Sequence, residues 1–159
     1  LRTFSLLKDL PIYDENSAEI LGRVSDLCIT SDGKVNALIM KGKGLFERDR
    51  VVPIQSISSI GNDAVMVSDQ SLIERLDNEA DTPTYFLHTH HGLFRKPLLS
   101  AEGQKLGLLE DVYFTEELGT IIGYEVTDGF FADITEGKKV VKTEKPLKIG
   151  EDVIVVSIT

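Results

Sequence analysis

The sequence predicts an all-β fold: two small antiparallel β-barrels in tandem, joined by a short helix and linker. Three observations carry this prediction. Residues 51–67 (V-V-P-I-Q-S-I-S-S-I-G-N-D-A-V-M-V) align without a gap on residues 140–156 (V-V-K-T-E-K-P-L-K-I-G-E-D-V-I-V-V), sharing Val-Val, then Ile-Gly-x-Asp, then a closing Val. Short apolar runs recur between Gly- and Asp-containing turns, at the spacing of a small barrel or sandwich. The repeat also extends upstream, with an offset of 86 at Pro11/Pro97, 85 at Gly22/Gly107 and 89 at Gly61/Gly150. An offset that drifts only at turns is that of a duplicated unit with changed loop lengths, and it fixes the domain count.

In the first copy, Leu6 and Leu7 with residues 11–13 predict an opening strand with an edge proline, Pro11. Asp14-Glu15-Asn16-Ser17 predicts a turn. Residues 23–30 predict the next strand. Strict alternation would set Val24 on the opposite face from Leu27 and Ile29, so this strand needs a bulge or burial on both faces. Ser31-Asp32-Gly33 predicts a hairpin, because Asp-Gly accepts the positive φ of a tight turn, and residues 35–40 return from it. Lys41-Gly42-Lys43-Gly44 predicts a second turn. Phe46 with residues 51–54 predicts another strand, Gly61-Asn62-Asp63 a turn, and residues 64–67 a last strand. Ser71 and Glu74 have capping-box spacing and Leu72, Ile73 and Leu76 form a helical stripe, so one or two helical turns are expected there. Residues 78–84 are polar around Pro83 and read as a linker.

The second copy follows the first. Pro97-Leu98-Leu99 falls where Pro11-Ile12-Tyr13 stands, Leu106-Gly107 where Leu21-Gly22 stands, residues 112–115 match 27–30, Gly119 matches Gly33, and 121–126 match 35–40. The expected organisation is a first barrel domain with a short C-terminal helix over residues 1–75, a linker over 76–84 and a second barrel domain over 85–159. Units this small bury only about 60% of the surface their unfolded chains expose, so the two are expected to pack on each other.

Gly22-x-Val24-x-Asp26-Leu27 and Gly107-x-Leu109-x-Asp111-Val112, each followed by the Val-Val and Ile-Gly-x-Asp segments, resemble the paired signatures of the PRC-barrel family. The resemblance covers most of the chain outside residues 70–90. It implies compact, largely antiparallel barrels like those in the cytoplasmic part of the photosynthetic reaction centre H subunit and in the C-terminal domain of a ribosome maturation factor. It further implies a tandem, stand-alone bacterial member. The positions it marks are Gly22, Asp26, Gly61, Asp63, Gly107, Asp111, Gly150 and Asp152. These are marks of a fold. The 159 residues contain neither the membrane helix of the first relative nor the extra N-terminal domain of the second, and fold likeness alone does not transfer their roles.

The net charge is -9 and is evenly spread: residues 1–80 hold nine Lys/Arg and thirteen Asp/Glu, leaving eight and thirteen of the totals, 17 and 26, for 81–159. A uniformly acidic surface disfavours sequence-independent binding of phosphate backbones. Cys28 is alone, which excludes an intramolecular disulfide and points to a reducing compartment. The apolar runs have strand length, far below the ~20 residues of a membrane helix, and the first ten residues are too quickly charged for a signal peptide. A cytoplasmic location is expected.

Candidate chemistry is sparse. Asp26 and Asp111 would need to approach each other to act as a carboxylate pair; the favoured reading is a structural bond from each to an N–H of its own barrel. His88, His90 and His91 are all the histidines of the chain, and His88 and His90 would share a strand face as metal ligands must; a cluster at a strand edge is favoured. Cys28 reads as a small buried apolar side chain. No nucleophile elbow, zinc-protease helix or phosphate-cradling loop is present. Lys41, Lys43, Arg48 and Arg50 beside Phe46 make the nearest approach to a basic patch, with Lys138, Lys139, Lys142 and Lys145 as the counterpart, and both are interrupted by acids. The expectation is therefore a non-enzymatic module without cofactor that binds an unidentified protein partner, with Phe46, Phe130 and Phe131 as candidate anchors. A homo-oligomer is compatible with it. The alternative is an RNA- or ribosome-linked maturation factor.

Overall fold

The computed structural model describes residues 2–31, 33–44, 47–76, 84–88, 92–115, 121–127 and 139–158. Among these residues fourteen strands and one short helix follow in order: β1 (Arg2–Thr3), α1 (Phe4–Leu7), β2 (Pro11–Asp14), β3 (Ile20–Thr30), β4 (Val35–Lys41), β5 (Arg50–Pro53), β6 (Ile57–Ile60), β7 (Val65–Val67), β8 (Glu74–Arg75), β9 (Thr84–Phe86), β10 (Pro97–Ser100), β11 (Lys105–Phe114), β12 (Ile121–Thr127), β13 (Lys139–Ile149) and β14 (Ile154–Ile158). The all-β expectation holds. Among the described residues no helix is long and apolar enough to cross a membrane.

The strands form two sheets with one plan. The first runs β6-β7-β2-β3-β4-β5-β8 with β9 added on β3; the second runs β1-β11-β10-β14-β13-β12, with β12 also paired to β11. In each half a parallel pair joins the opening strand to the closing one, Ile12 opposite Val65 and Leu98 opposite Ile154. The remaining rungs correspond as well: Ile12 faces Gly22 as Leu98 faces Gly107, Leu27 faces Leu38 as Val112 faces Tyr124, and Leu38 faces Val52 as Tyr124 faces Val141. A one-residue slip would turn every side chain to the other face, so agreement at each rung means that both copies bury the same positions.

The bulge expected in the third strand is present. The β3–β4 register shifts between Val24 and Asp26, and the β11–β12 register shifts between Leu109 and Asp111. Beyond it β3 is buried on both faces. Val24, Leu27 and Ile29 belong to a large apolar core that continues into the second half through Leu109, Val112 and Phe114. Cys28 belongs to a small separate cluster with Ala37 and Ile39, under Leu76 and Phe86.

Three local expectations are corrected. Leu6 and Leu7 lie in a helical turn: Phe4 and Leu7 are buried while Ser5 and Leu6 are exposed, a three-residue period that a strand cannot produce. The expected helix near Ser71 is a single 3-10 turn, Gln70–Leu72. Its cap is Asp69, whose side chain accepts the Ser71 N–H, and Glu74 lies instead in β8 against β5. Finally, β6, β8 and β9 are strands that periodicity did not mark, each being only two to four residues long.

Candidate functional site at the junction of the repeats

The residues leading into each half bond to the other half. Arg2 and Thr3 pair with Phe114 and Tyr113 of β11, while Thr84, Tyr85 and Phe86 pair with Thr30, Ile29 and Cys28 of β3. The chain then turns identically in both copies. Asp9 N–H donates to Val24 O at 2.8 Å, and Val24 N–H to Leu10 O at 2.9 Å; Arg95 N–H donates to Leu109 O at 2.7 Å, and Leu109 N–H to Lys96 O at 2.9 Å. Asp9 and Arg95 both adopt φ of 70° to make this turn. Left-handed backbone is costly for such residues, so surrounding bonds must hold it.

The two signature aspartates stand where the crossing segments meet. Asp111 Oδ1 accepts Phe4 N–H at 3.0 Å and its own Val112 N–H at 2.9 Å, while Oδ2 accepts Ser5 N–H at 3.3 Å. The carboxylate thus caps α1, whose own N-cap residue, Thr3, makes no side-chain capping bond. Asp26 Oδ1 accepts Leu27 N–H at 2.8 Å and His88 N–H at 3.0 Å. Both aspartates are buried. A carboxylate can sit there because several N–H donors replace the water it lost. Each aspartate makes the expected bond to an N–H of its own half, Leu27 or Val112, and also serves the leading segment of the other half.

The signature glycines have steric reasons. A Cβ at Gly22 would overlap the Lys41 carbonyl oxygen and stand 2.6 Å from Met40 Cγ; at Gly107, whose φ is +147°, it would stand 2.9 Å from Thr127 O. Gly61 and Gly150 close equivalent turns, donating to Ala64 O at 2.8 Å and Val153 O at 3.0 Å. Asp63 and Asp152 are exposed on those turns.

His88 is packed between rings, 5.7 Å from Phe4 and 5.0 Å from Phe94, centroid to centroid. Desolvation holds its imidazole below the usual 6.5, against the pull of Asp26; Lys8 lowers it and Asp111 raises it to a smaller degree. His90 and His91 lie outside the described residues, as do Phe46, Phe130 and Phe131. Among the described residues no group of three His, Cys, Asp or Glu side chains is gathered to hold a metal. Sequence reasoning passed over Phe94, which is 39% exposed with its N–H bonded to Leu87 O at 2.8 Å. A lone Phe between Leu93 and Arg95 carries no periodic signal.

The PRC-barrel domain model matches this chain twice, over residues 2–71 and 88–159. The chain is also 30% identical over 161 residues to the uncharacterized protein YrrD of Bacillus subtilis (strain 168), an alignment covering 99% of this chain and 88% of that protein.

Proposed function

From the premise that this chain belongs to the PRC-barrel family, we propose that it is a non-enzymatic module that binds a protein partner at the junction of its two halves. The observation that carries this reading is Phe94. It is a part-exposed aromatic whose backbone is bonded and whose ring is packed on His88, so little side-chain freedom is lost when a partner covers it. Titratable groups on the junction strands have structural roles: Asp26 and Asp111 accept backbone N–H groups, and Cys28 is enclosed in an apolar cluster. We read each sheet as a small PRC-type barrel. In the second half the pairings form a cycle of β10, β11, β12, β13 and β14, and in the first a single 3-10 turn, Ile54–Ser56, links β5 to β6.

Affinity capture from native lysate with wild type and with Phe94→Ser tests the module. A discrete protein held by wild type and lost by the variant is the expected result; the same proteins on both, or none on either, overturns it. The ribosome-linked alternative needs a basic track along which a phosphate backbone could lie. Among the described residues cations line two separate small clefts, Arg23, Lys41 and Lys43 in one and Arg48, Arg50 and Arg75 in the other, on a chain of net charge -9. That suits a small anion better than a long one.

A further inference from the structure

We propose that Arg48, Arg50 and Arg75 form a binding site for a compact phosphate-bearing anion, of the size of a diphosphate. Arg50 of β5 lies directly opposite Arg75 of β8 in the antiparallel register. Cβ atoms of such a pair are about 5 Å apart, and like charges so placed repel. Arg48 joins them in lining a cleft of about 390 Å³, with Glu47 as its other lining residue among those described. That volume is within the range of small-ligand sites.

Among the described residues none of the acids nearby is ion-paired to the three cations. Glu47 Oε2 accepts the Lys43 N–H at 3.0 Å and closes its own loop. In the alternation of the two strands Glu74 faces Val51 across the ladder, on the face away from Arg50 and Arg75. Among the described residues the guanidinium groups of Arg48, Arg50 and Arg75 make no hydrogen bond or ion pair. Three guanidinium groups thus line one cleft with a single carboxylate, Glu47, and give its described lining an excess of positive charge. Guanidinium forks match phosphate oxygens in pairs, and one phosphate group bridging Arg50 and Arg75 would turn their repulsion into two charge-assisted contacts. Strand β8 is two residues long, so an anion would also fasten it to β5. The site is separate from the junction and does not depend on protein binding there.

Calorimetric titration of the intact chain with inorganic pyrophosphate at low ionic strength tests the proposal. Saturable one-to-one binding is expected, weakened about tenfold or more by Arg50→Gln or Arg75→Gln and unchanged by Lys105→Ala in the other half. Unfolding in urea supplies a second measurement that does not rely on heat. Pyrophosphate should raise the wild-type midpoint and leave that of Arg75→Gln in place, while without the anion Arg75→Gln should be at least as stable as wild type because repulsion is relieved. No saturable binding, or binding indifferent to both arginine substitutions, overturns the site. Adenosine diphosphate binding at least as tightly as pyrophosphate is expected if the biological ligand is a nucleotide, and weaker binding assigns the site to a phosphate without a base. A ten-residue RNA binding far more tightly than either would overturn the assignment to a compact anion.

Discussion

The two halves share one ladder yet fill the same buried rung differently. Leu38 faces Leu27 in the first, and Tyr124 faces Val112 in the second. Both side chains are buried, but Tyr124 brings a hydroxyl that has no hydrogen-bond partner among the described residues. The halves differ again between the fourth strand and the closing turn, where β5 and β6 are broken by a 3-10 turn while β13 runs unbroken for 11 residues. They agree at the bulge, at the aspartate after it, at the close-packed glycine before it and at the left-handed residue of the leading turn. The agreements concern backbone that has to turn, approach closely or be bonded while buried. The differences concern volume, which a core can fill in several ways.

Removing the shared carboxylates should have the largest effect. Asp111→Ala strips three N–H groups of their acceptor, and a loss of about 3–5 kcal/mol in urea unfolding is expected; Asp26→Ala should match it within about 1 kcal/mol. Asp111→Asn keeps one acceptor oxygen and should lose roughly half as much. If one aspartate proves dispensable, the reciprocal exchange is not what holds the halves together.

Next are the glycines. Gly22→Ala should cost about 2–4 kcal/mol, since a Cβ there meets the Lys41 carbonyl, which the β3–β4 ladder prevents from moving. Gly107→Ala should cost about 1–3 kcal/mol, from its φ of +147° together with the Thr127 oxygen. Equal tolerance of alanine at both would refute the steric account.

A smaller effect of opposite sign is expected at the rung where the copies differ. Tyr124→Phe should stabilise by about 1 kcal/mol, because it removes an unpaired buried hydroxyl and keeps the ring. Leu38→Tyr should destabilise. A loss of stability in Tyr124→Phe would mean that the hydroxyl is satisfied in solution.

The smallest effect is that of pH. The folded chain holds His88 below 6.5, so the unfolded chain binds the extra proton more readily. The His88 contribution to stability is therefore present above pH 6.5 and is lost as pH falls from there through the lowered value. The urea midpoint should decline across that window in wild type and less so in His88→Gln. An identical decline in both would assign the effect to other groups.

The repeat, the strand that needed a bulge, the hairpin at Gly33 and the glycine and aspartate pairs were legible in residue order, because each follows from local periodicity, turn chemistry or self-comparison. The helical turn at Phe4, the two-residue strands and the exposure of Phe94 were not, since segments so short have no period to read. Their conformation depends on what they touch. That Asp26 and Asp111 would serve the opposite half was also out of reach, because sequence names an acceptor without its donor. The arginine cluster divides in the same way. Arg48 and Arg50 stand together in the sequence, but Arg75 joins them only through the β5–β8 register, which brings residues 25 positions apart face to face. Local order thus determined which backbone each copy forms, because those preferences act over a few bonds. Tertiary structure alone decided which surfaces the two copies exchange and which charges they leave unpaired, because burial and Coulomb forces act between residues that the chain keeps far apart.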